Sequence, residues 1–98
     1  NFAEACQDII DQNTPLFEKL TESLTTYQLN FLRAVLDGVH QEFTTSEVLQ
    51  KYSLGSSANV STIKRALIKK ELIEMENKRV VISDPLLKIW LRKELMTR

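Results

Sequence analysis

Three amphipathic helical segments within residues 25–72, two short alternating segments within 73–82 and a helical segment after residue 84 predict a mainly α-helical fold, a winged helix-turn-helix. The expected architecture is a three-helix core plus a two-stranded hairpin, with an N-terminal helical extension and a C-terminal helix. The break SLGSS between the second and third core helices is as short as the turn of a helix-turn-helix. With 98 residues, 43% of them hydrophobic, the chain has the composition of one small globular domain.

The N-terminal extension is predicted to form two acidic amphipathic helices. The second is expected to start at Thr14–Pro15, with Thr14 as the N-cap and the proline in the first turn. Apolar residues recur at helical spacing in both helices, Phe2, Cys6, Ile9 and Ile10 in the first and Leu16, Phe17, Leu20 and Leu24 in the second. We therefore expect residues 1–24 to be a helical connector and residues 25–98 to be the winged-helix domain.

Capping residues mark where the three core helices start. The pairs Thr25–Gln28 and Thr44–Glu47 have the spacing of a capping box, in which each side chain bonds the other residue's backbone N–H. After the turn at Gly55, either Ser56 or Ser57 is expected to cap the third core helix. The apolar positions of these helices are predicted to face the core: Leu29, Leu32, Val35, Leu36 and Val39, then Val48, Leu49 and Tyr52, then Val60, Ile63 and Leu67.

Beyond residue 72 the hydrophobic period changes from that of a helix to that of a strand. Segments 73–76 and 79–82 alternate, and Asn77–Lys78 between them predicts a tight hairpin turn because Asn accepts a positive φ, although Lys is a poorer choice there. Asp84 is the predicted N-cap of the last helix, with Pro85 at its first position. This helix is expected to bury Leu86, Leu87, Trp90 and Leu91.

The charges are divided unevenly along the chain. Residues 1–50 carry two basic and eight acidic side chains, whereas residues 51–98 carry eleven basic and five acidic ones, so the net charge of zero conceals two oppositely charged halves. This asymmetry suggests a basic face for an anionic partner. Mutual attraction of the two halves, within one chain or between neighbours, is the alternative.

The third core helix is predicted to carry the basic face. Ala58, Thr62, Arg65 and Lys69 lie opposite its apolar stripe, where small residues at the start would let the backbone approach a DNA groove. Cations at the hairpin tip would then reach the phosphate backbone. The predicted nucleic-acid contacts are Ser57, Ala58, Ser61, Thr62, Arg65, Lys69, Lys78 and Arg79. The competing interpretation is a solvated polar face, or a surface that binds protein.

No catalytic, metal or cofactor site is predicted within these residues. His40 has no Cys, Asp or Glu at metal-ligand spacing, no serine lies in a nucleophile elbow, and two glycines cannot make a phosphate-binding loop. We therefore expect this chain not to be an enzyme by itself. A single cysteine, Cys6, favours a reducing, cytoplasmic location, and no apolar run approaches the roughly 20 residues of a membrane span.

Three stretches resemble the C-terminal winged-helix region of the archaeal-type ATPases, a prokaryotic AAA+/STAND-related branch of the P-loop ATPases: "LTTYQLNFLRAVLDG", "SSANVSTIKRALIKKELIE" and "VVISDPLLKIWLRKEL". The resemblance covers residues 14–96 and includes Gln28, Leu72–Ile73, Asp84–Pro85 and Trp90. It implies a longer parent protein with ATP and Mg²⁺ bound in a separate domain. The family's nucleotide-binding motifs match no residue here, so no ATP-site residue is assigned.

Two functions from different classes follow. In the first, the module docks its parent ATPase on double-stranded DNA through the third core helix. In the second, it is a protein-interaction or regulatory module that binds no DNA and meets an acidic partner surface, for example the parent's own ATPase domain. Residues 2–22, with an apolar stripe that the missing domain would cover, are also expected to support a dimer.

Overall fold

A computed structural model describes the backbone of residues 2–96, together with the side chains of Glu4, Asp8 and residues 11–95. This part of the chain forms five α-helices and one two-stranded antiparallel sheet. In chain order the elements are α1 (Phe2–Glu22), α2 (Thr26–Leu36), α3 (Ser46–Lys51), α4 (Ser57–Lys69), β1 (Ile73–Glu76), β2 (Arg79–Ile82) and α5 (Pro85–Met96). The predicted winged-helix fold is therefore confirmed.

The core lies where α2 packs against α4, α5 and the hairpin. Its most completely buried large side chains come from α2, α4, both strands, α5 and the segment after α3: Phe31, Leu32, Leu54, Leu67, Ile73, Val80 and Leu91. Among the described residues, five buried apolar side chains escaped the sequence prediction, namely Phe31, Ala34, Phe43, Leu54 and Leu72. Phe43 and Leu54 lie just outside helices, and Phe31 stacks on Phe43 at 4.5 Å between ring centroids.

Helix α1 corrects the prediction of two N-terminal helices, because it continues through Pro15 without a break. A proline in a helix interior removes one backbone hydrogen bond and crowds the carbonyl four residues earlier, which favours a kink or an end at that point. Phe17 is buried against Trp90 of α5, 5.6 Å between ring centroids, so this packing holds the helix beyond the proline in place. The predicted stripe of the first half lies outside the described side chains, at Phe2, Cys6, Ile9 and Ile10.

The start of α3 also corrects a prediction, since the N-cap is Thr45 and not Thr44. The Thr45 hydroxyl accepts a hydrogen bond from the Val48 N–H at 3.3 Å. A preceding turn, closed by the Thr45 N–H on the Glu42 carbonyl at 3.4 Å, brings Phe43 into the core. Burial of Phe43 therefore delays the helix by one residue.

The predicted caps of α2, α4 and α5 are confirmed, whereas Thr14, the predicted N-cap of a second N-terminal helix, lies inside α1. Thr25 and Gln28 form the reciprocal capping box at the start of α2, and Ser56 caps α4 by accepting from the Asn59 N–H at 3.2 Å. At the start of α5, an Asp84 carboxylate oxygen accepts from the Leu86 N–H at 2.9 Å. These caps determine where α2, α4 and α5 begin.

Helices α2, α3 and α4 all end in the same way, in a Schellman motif. In each, a residue with positive φ follows the helix, and the N–H of the next, apolar residue donates to a backbone carbonyl in the last helical turn. These hydrogen bonds, each 3.0 Å long, run from Val39 to Ala34, from Leu54 to Leu49 and from Leu72 to Leu67. The residues with positive φ are Gly38, Ser53 and Glu71. Each motif therefore turns the chain and directs an apolar residue towards the core.

A hydrogen bond joins α3 to the end of α2. The Tyr52 hydroxyl donates to an Asp37 carboxylate oxygen at 2.7 Å. Burial, followed by the hydrogen bond to Asp37 and the charge of that carboxylate, raises the pKa of Tyr52 to about 12. The neutral hydroxyl is thus the form that the folded chain favours.

The hairpin is a tight two-residue turn, as predicted. Asn77 and Lys78 both have positive φ, 52° and 66°, the signature of a type I′ turn. The register pairs Glu76 with Arg79 next to the turn and Met75 with Val80 behind it. At the base, the Ser83 N–H donates to the Leu72 carbonyl at 3.0 Å, which ties the end of the hairpin to the end of α4.

Candidate nucleic-acid interface

Helix α4 exposes the face that the sequence assigns to nucleic acid. Val60, Ile63 and Leu67 are buried on one side. The predicted contact residues Ala58, Thr62, Arg65 and Lys69 are all exposed on the other. Since α4 contains Lys64, Arg65 and Lys69 but no acidic residue, its solvent side is positively charged.

The Thr62 hydroxyl donates to the Ala58 carbonyl one turn earlier, at 3.3 Å. That bond keeps the side chain close to the helix, so its oxygen can accept a hydrogen bond from a ligand. The first turn therefore presents small side chains. Arg65 and Lys69 are the long ones on this face.

A groove separates α4 from the hairpin turn. This α4–hairpin groove, about 270 Å³, is lined by Ser61 and Lys64 of α4, by Lys78 of the turn and by segment 40–44. Two cations from two different elements thus face one space. Glu42, in the same segment, is the carboxylate of the lining, and it partly offsets their charge.

Lys64 is the contact candidate that the sequence analysis missed. It is half-buried beside the buried stripe, about 100° around the helix from Ile63, and so does not belong to the face opposite the core. The sequence places Lys64 on a flank of the helix. Only the tertiary structure shows that this flank, which also carries Ser57 and Ser61, is the one facing the hairpin.

Arg79 lies in a different place from the one expected. It lines a second groove, about 480 Å³, together with segment 38–42 and the start of α3, where Glu42 and Glu47 supply carboxylates. Lys78 and Arg79 are neighbours in sequence, but Lys78 belongs to the turn, with positive φ, whereas Arg79 is the first residue of β2. The structure therefore brings Lys78 together with Ser61 and Lys64, and it directs Arg79 away from α4.

His40 holds the hairpin between these two grooves. The Val80 N–H donates to the His40 carbonyl at 2.9 Å, and the His40 ring Nδ1 lies 2.7 Å from the Val80 carbonyl oxygen. Because a carbonyl can only accept, Nδ1 carries the proton of this bond. The paired contacts anchor β2 two residues from Lys78 and fix the position of the turn relative to α4.

Among the described residues, no group of three or more His, Cys, Asp or Glu side chains has an arrangement that could hold a metal ion. Over the same residues, no helix is both long enough and apolar enough to cross a bilayer.

Comparison with known proteins places this geometry in a wider group. A family model described as "Probable winged helix domain" matches residues 15–93. No curated protein and no solved structure matches the chain. The matched region begins inside α1 and ends inside α5, so it includes α4, the hairpin and both partners of the Phe17–Trp90 contact.

Proposed function

The chain belongs to the family of probable winged helix domains, and we propose that it binds duplex DNA with α4 in the major groove and the hairpin turn on the phosphate backbone. The observation that carries this proposal is the α4–hairpin groove, in which Lys64 and Lys78 face one space from two elements. Cations arranged in this way neutralise neighbouring phosphates, which supplies most of the affinity for any sequence.

The α4 face beside that groove would supply the contacts to bases. Arg65 can donate two hydrogen bonds to a guanine, whereas Lys69, nearer the end of the helix, is suited to a phosphate. The small side chains at positions 57, 58 and 61 let the helix start approach the groove floor. Arg79, directed towards Glu42 and Glu47, has no part in this arrangement.

Binding of the chain to a labelled random-sequence duplex, measured by fluorescence anisotropy over a series of salt concentrations, tests the proposal. The logarithm of the affinity is expected to fall with the logarithm of the salt concentration with a slope of about −0.9 per phosphate contact, steep enough for roughly three to five contacts. Lys64→Ala and Lys78→Ala should each reduce that slope by about 0.9. Absence of binding at low salt would overturn the proposal.

Two matched variants separate this arrangement from a general effect of charge. Lys19→Ala removes an exposed lysine of α1 that lines neither groove, and it should leave the slope unchanged. Arg79→Ala should change the slope less than Lys78→Ala, since the structure directs its side chain to the other groove. Equal effects of all four substitutions would indicate non-specific attraction.

The protein-interaction alternative predicts a different result in the same assay. A module whose basic face meets an acidic protein surface would bind the parent's ATPase domain, and duplex DNA would not compete with that binding. The groove cations serve either function, so the salt dependence with DNA and the competition together distinguish them.

We further propose that the module forms the C-terminal part of a larger ATPase. Support comes from the resemblance of residues 14–96 to such regions, through the Gln28, Asp84–Pro85 and Trp90 positions. Mass spectrometry of the protein purified from its native source should then find a chain longer than 98 residues with a glycine-rich phosphate-binding loop. A native chain without that loop would contradict this part of the proposal.

A further inference from the structure

Two exposed apolar side chains meet in a third groove. Ile68, at the end of α4, is 41% exposed and Met75 of β1 is 46% exposed. Both line an open groove of about 640 Å³ between the two elements, together with Glu71, Glu74 and Ser83. Single exposed apolar residues are common on protein surfaces, but two that line one groove form a patch.

The apolar surface and the negative charge of this α4–β1 groove indicate what kind of surface could bind there. Ile68 and Met75 offer apolar surface, and Met adapts to differently shaped partners because its side chain is unbranched and flexible. Glu71 and Glu74, both exposed, add negative charge at the edges. A partner that covers the groove must therefore combine an apolar side chain with basic neighbours.

The outer face of α5 has that combination. Ile89 is 44% exposed, and Lys88 and Arg92 beside it are exposed as well. Lys88 and Arg92 are four residues apart, so they lie one above the other on the helix. This basic face and the α4–β1 groove are complementary in charge, and each carries apolar surface that the other could cover.

The two surfaces also border each other. Ser83, which lines the groove, lies two residues before Pro85, where α5 begins. Ile89 follows Pro85 by four residues, a rise of about 6 Å along the helix. A second copy related by a two-fold axis can thus place its α5 in the groove of the first while the first does the same in return.

We propose that two copies of this chain associate through the α4–β1 groove of each and the α5 face of the other. Ile89 of one copy covers Ile68 and Met75 of its partner, while Lys88 and Arg92 meet Glu71 and Glu74. Because each contact involves only three apolar and four charged side chains, the dimer is expected to be weak and reversible. Sedimentation velocity should show a concentration-dependent monomer–dimer equilibrium, with a Kd on the order of 100 μM.

Charge reversal provides the decisive experiment. One variant carries Glu71→Lys and Glu74→Lys, and the other carries Lys88→Glu and Arg92→Glu. Each alone sets like charges against each other at both contacts of the dimer, so its Kd should increase by at least about tenfold. Mixed together, the two variants restore opposite charges at both contacts and should form a heterodimer with about the wild-type Kd.

Substitutions of exposed apolar residues identify the face that is used. Met75→Asp should weaken the dimer, while Leu16→Asp, on the exposed side of α1, should not. Circular dichroism checks that every variant stays folded, and the assays contain no DNA, so failure of the DNA-binding proposal leaves them unaffected. A monomeric wild-type chain at millimolar concentration, an unrestored mixture, or dimerisation lost with Leu16→Asp alone would each overturn the proposal.

Discussion

The side chain of Tyr52 makes a measurable, pH-dependent contribution to the stability of the fold. Its folded-state pKa of about 12 exceeds the ordinary value of 10.0 because of burial and the bond to Asp37. The neutral hydroxyl therefore stabilises the fold fully below pH 10, and the contribution is lost as the pH rises towards about 12. Urea unfolding of wild type and Tyr52→Phe between pH 10 and about 12 should show that the wild type loses more of its free energy of unfolding.

The comparison has a matched control in Tyr27, the exposed one of the two tyrosines. Tyr27→Phe should keep the wild-type alkaline loss. Near neutral pH, Tyr52→Phe should cost about 1 kcal/mol, the contribution of a typical hydrogen bond, because Asp37 is exposed and water replaces the hydroxyl. Parallel pH profiles of wild type and Tyr52→Phe would contradict the assignment.

Glu71 occupies a backbone position suited to glycine. Its φ is 61°, in the left-handed region, and its N–H donates to the Ile68 carbonyl at 2.9 Å in the motif that ends α4. Glu71→Gly should therefore raise the free energy of unfolding by about 0.5–1 kcal/mol, the steric relief less the entropy that glycine loses on folding. Chemical denaturation measures this change.

The neighbouring residue supplies the control for that substitution. Lys70 has a φ of −80°, which any residue adopts easily. Lys70→Gly should consequently lower the stability by about 0.5–1 kcal/mol through backbone entropy alone. Equal effects of the two glycines would show that φ at Glu71 carries no strain.

At the scale of elements, Lys78 of the hairpin turn has both a backbone role and a proposed role in binding. Lys78 has a positive φ in the type I′ turn, where glycine is favoured, and its side chain faces the α4–hairpin groove. Lys78→Gly should raise the thermal midpoint of unfolding, by an amount equivalent to about 0.5–1 kcal/mol, while it weakens binding to duplex DNA. Stability and affinity are thus expected to change in opposite directions.

A different outcome would change the role proposed for Lys78 in the hairpin turn. If Lys78→Gly raised both stability and affinity, the backbone of the hairpin and not its charge would contact DNA. The Lys78→Ala variant separates these cases, since alanine removes the charge without relieving the positive φ. Thermal unfolding followed by circular dichroism and the anisotropy assay provide both measurements.

Local chemistry determined most helix boundaries, and these were predictable. Caps at Thr25, Ser56 and Asp84 depend on side chains a few residues apart, which a sequence displays directly. The two errors have a tertiary cause. Packing of Phe17 on Trp90 extends α1 past Pro15, and burial of Phe43 displaces the cap of α3 to Thr45. No local pattern reports such long-range packing.

At the scale of the whole molecule, α1 contributes to the core. Phe17→Ala should cost about 3–5 kcal/mol, the usual cost of emptying a buried phenylalanine site. Phe17→Leu, which keeps the site largely filled, should cost less and leave the chain folded for measurement. Trp90 fluorescence during urea unfolding reports both, since its ring contacts Phe17.

The same contact bears on the domain boundary expected at residue 24. A chain limited to residues 25–98 lacks Phe17 and leaves one side of Trp90 uncovered. The shortened chain also lacks Leu20 and Leu24, which pack against the core, so we expect it to lose at least as much stability as Phe17→Ala. Equal stabilities would mean that α1 is only a connector.

The candidate interface was predictable in part. The exposed face at Ala58, Thr62, Arg65 and Lys69 follows from helical periodicity, and the structure finds these residues exposed. Lys64 and the separation of Lys78 from Arg79 depend on how the hairpin packs on α4, a relation that periodicity does not contain. Which cations share one groove is thus a property of the tertiary structure.

The two hydrogen bonds between His40 and Val80 link residues forty positions apart in the sequence. The hairpin, the helix caps and the Schellman motifs all connect residues close in sequence, whereas the His40–Val80 hydrogen bonds close a long loop of chain at an entropic cost. We therefore expect them to form late during folding, after α2 and α4 have met. Once formed, they fix the position of the hairpin turn, and of Lys78 within it, relative to α4 in the folded protein.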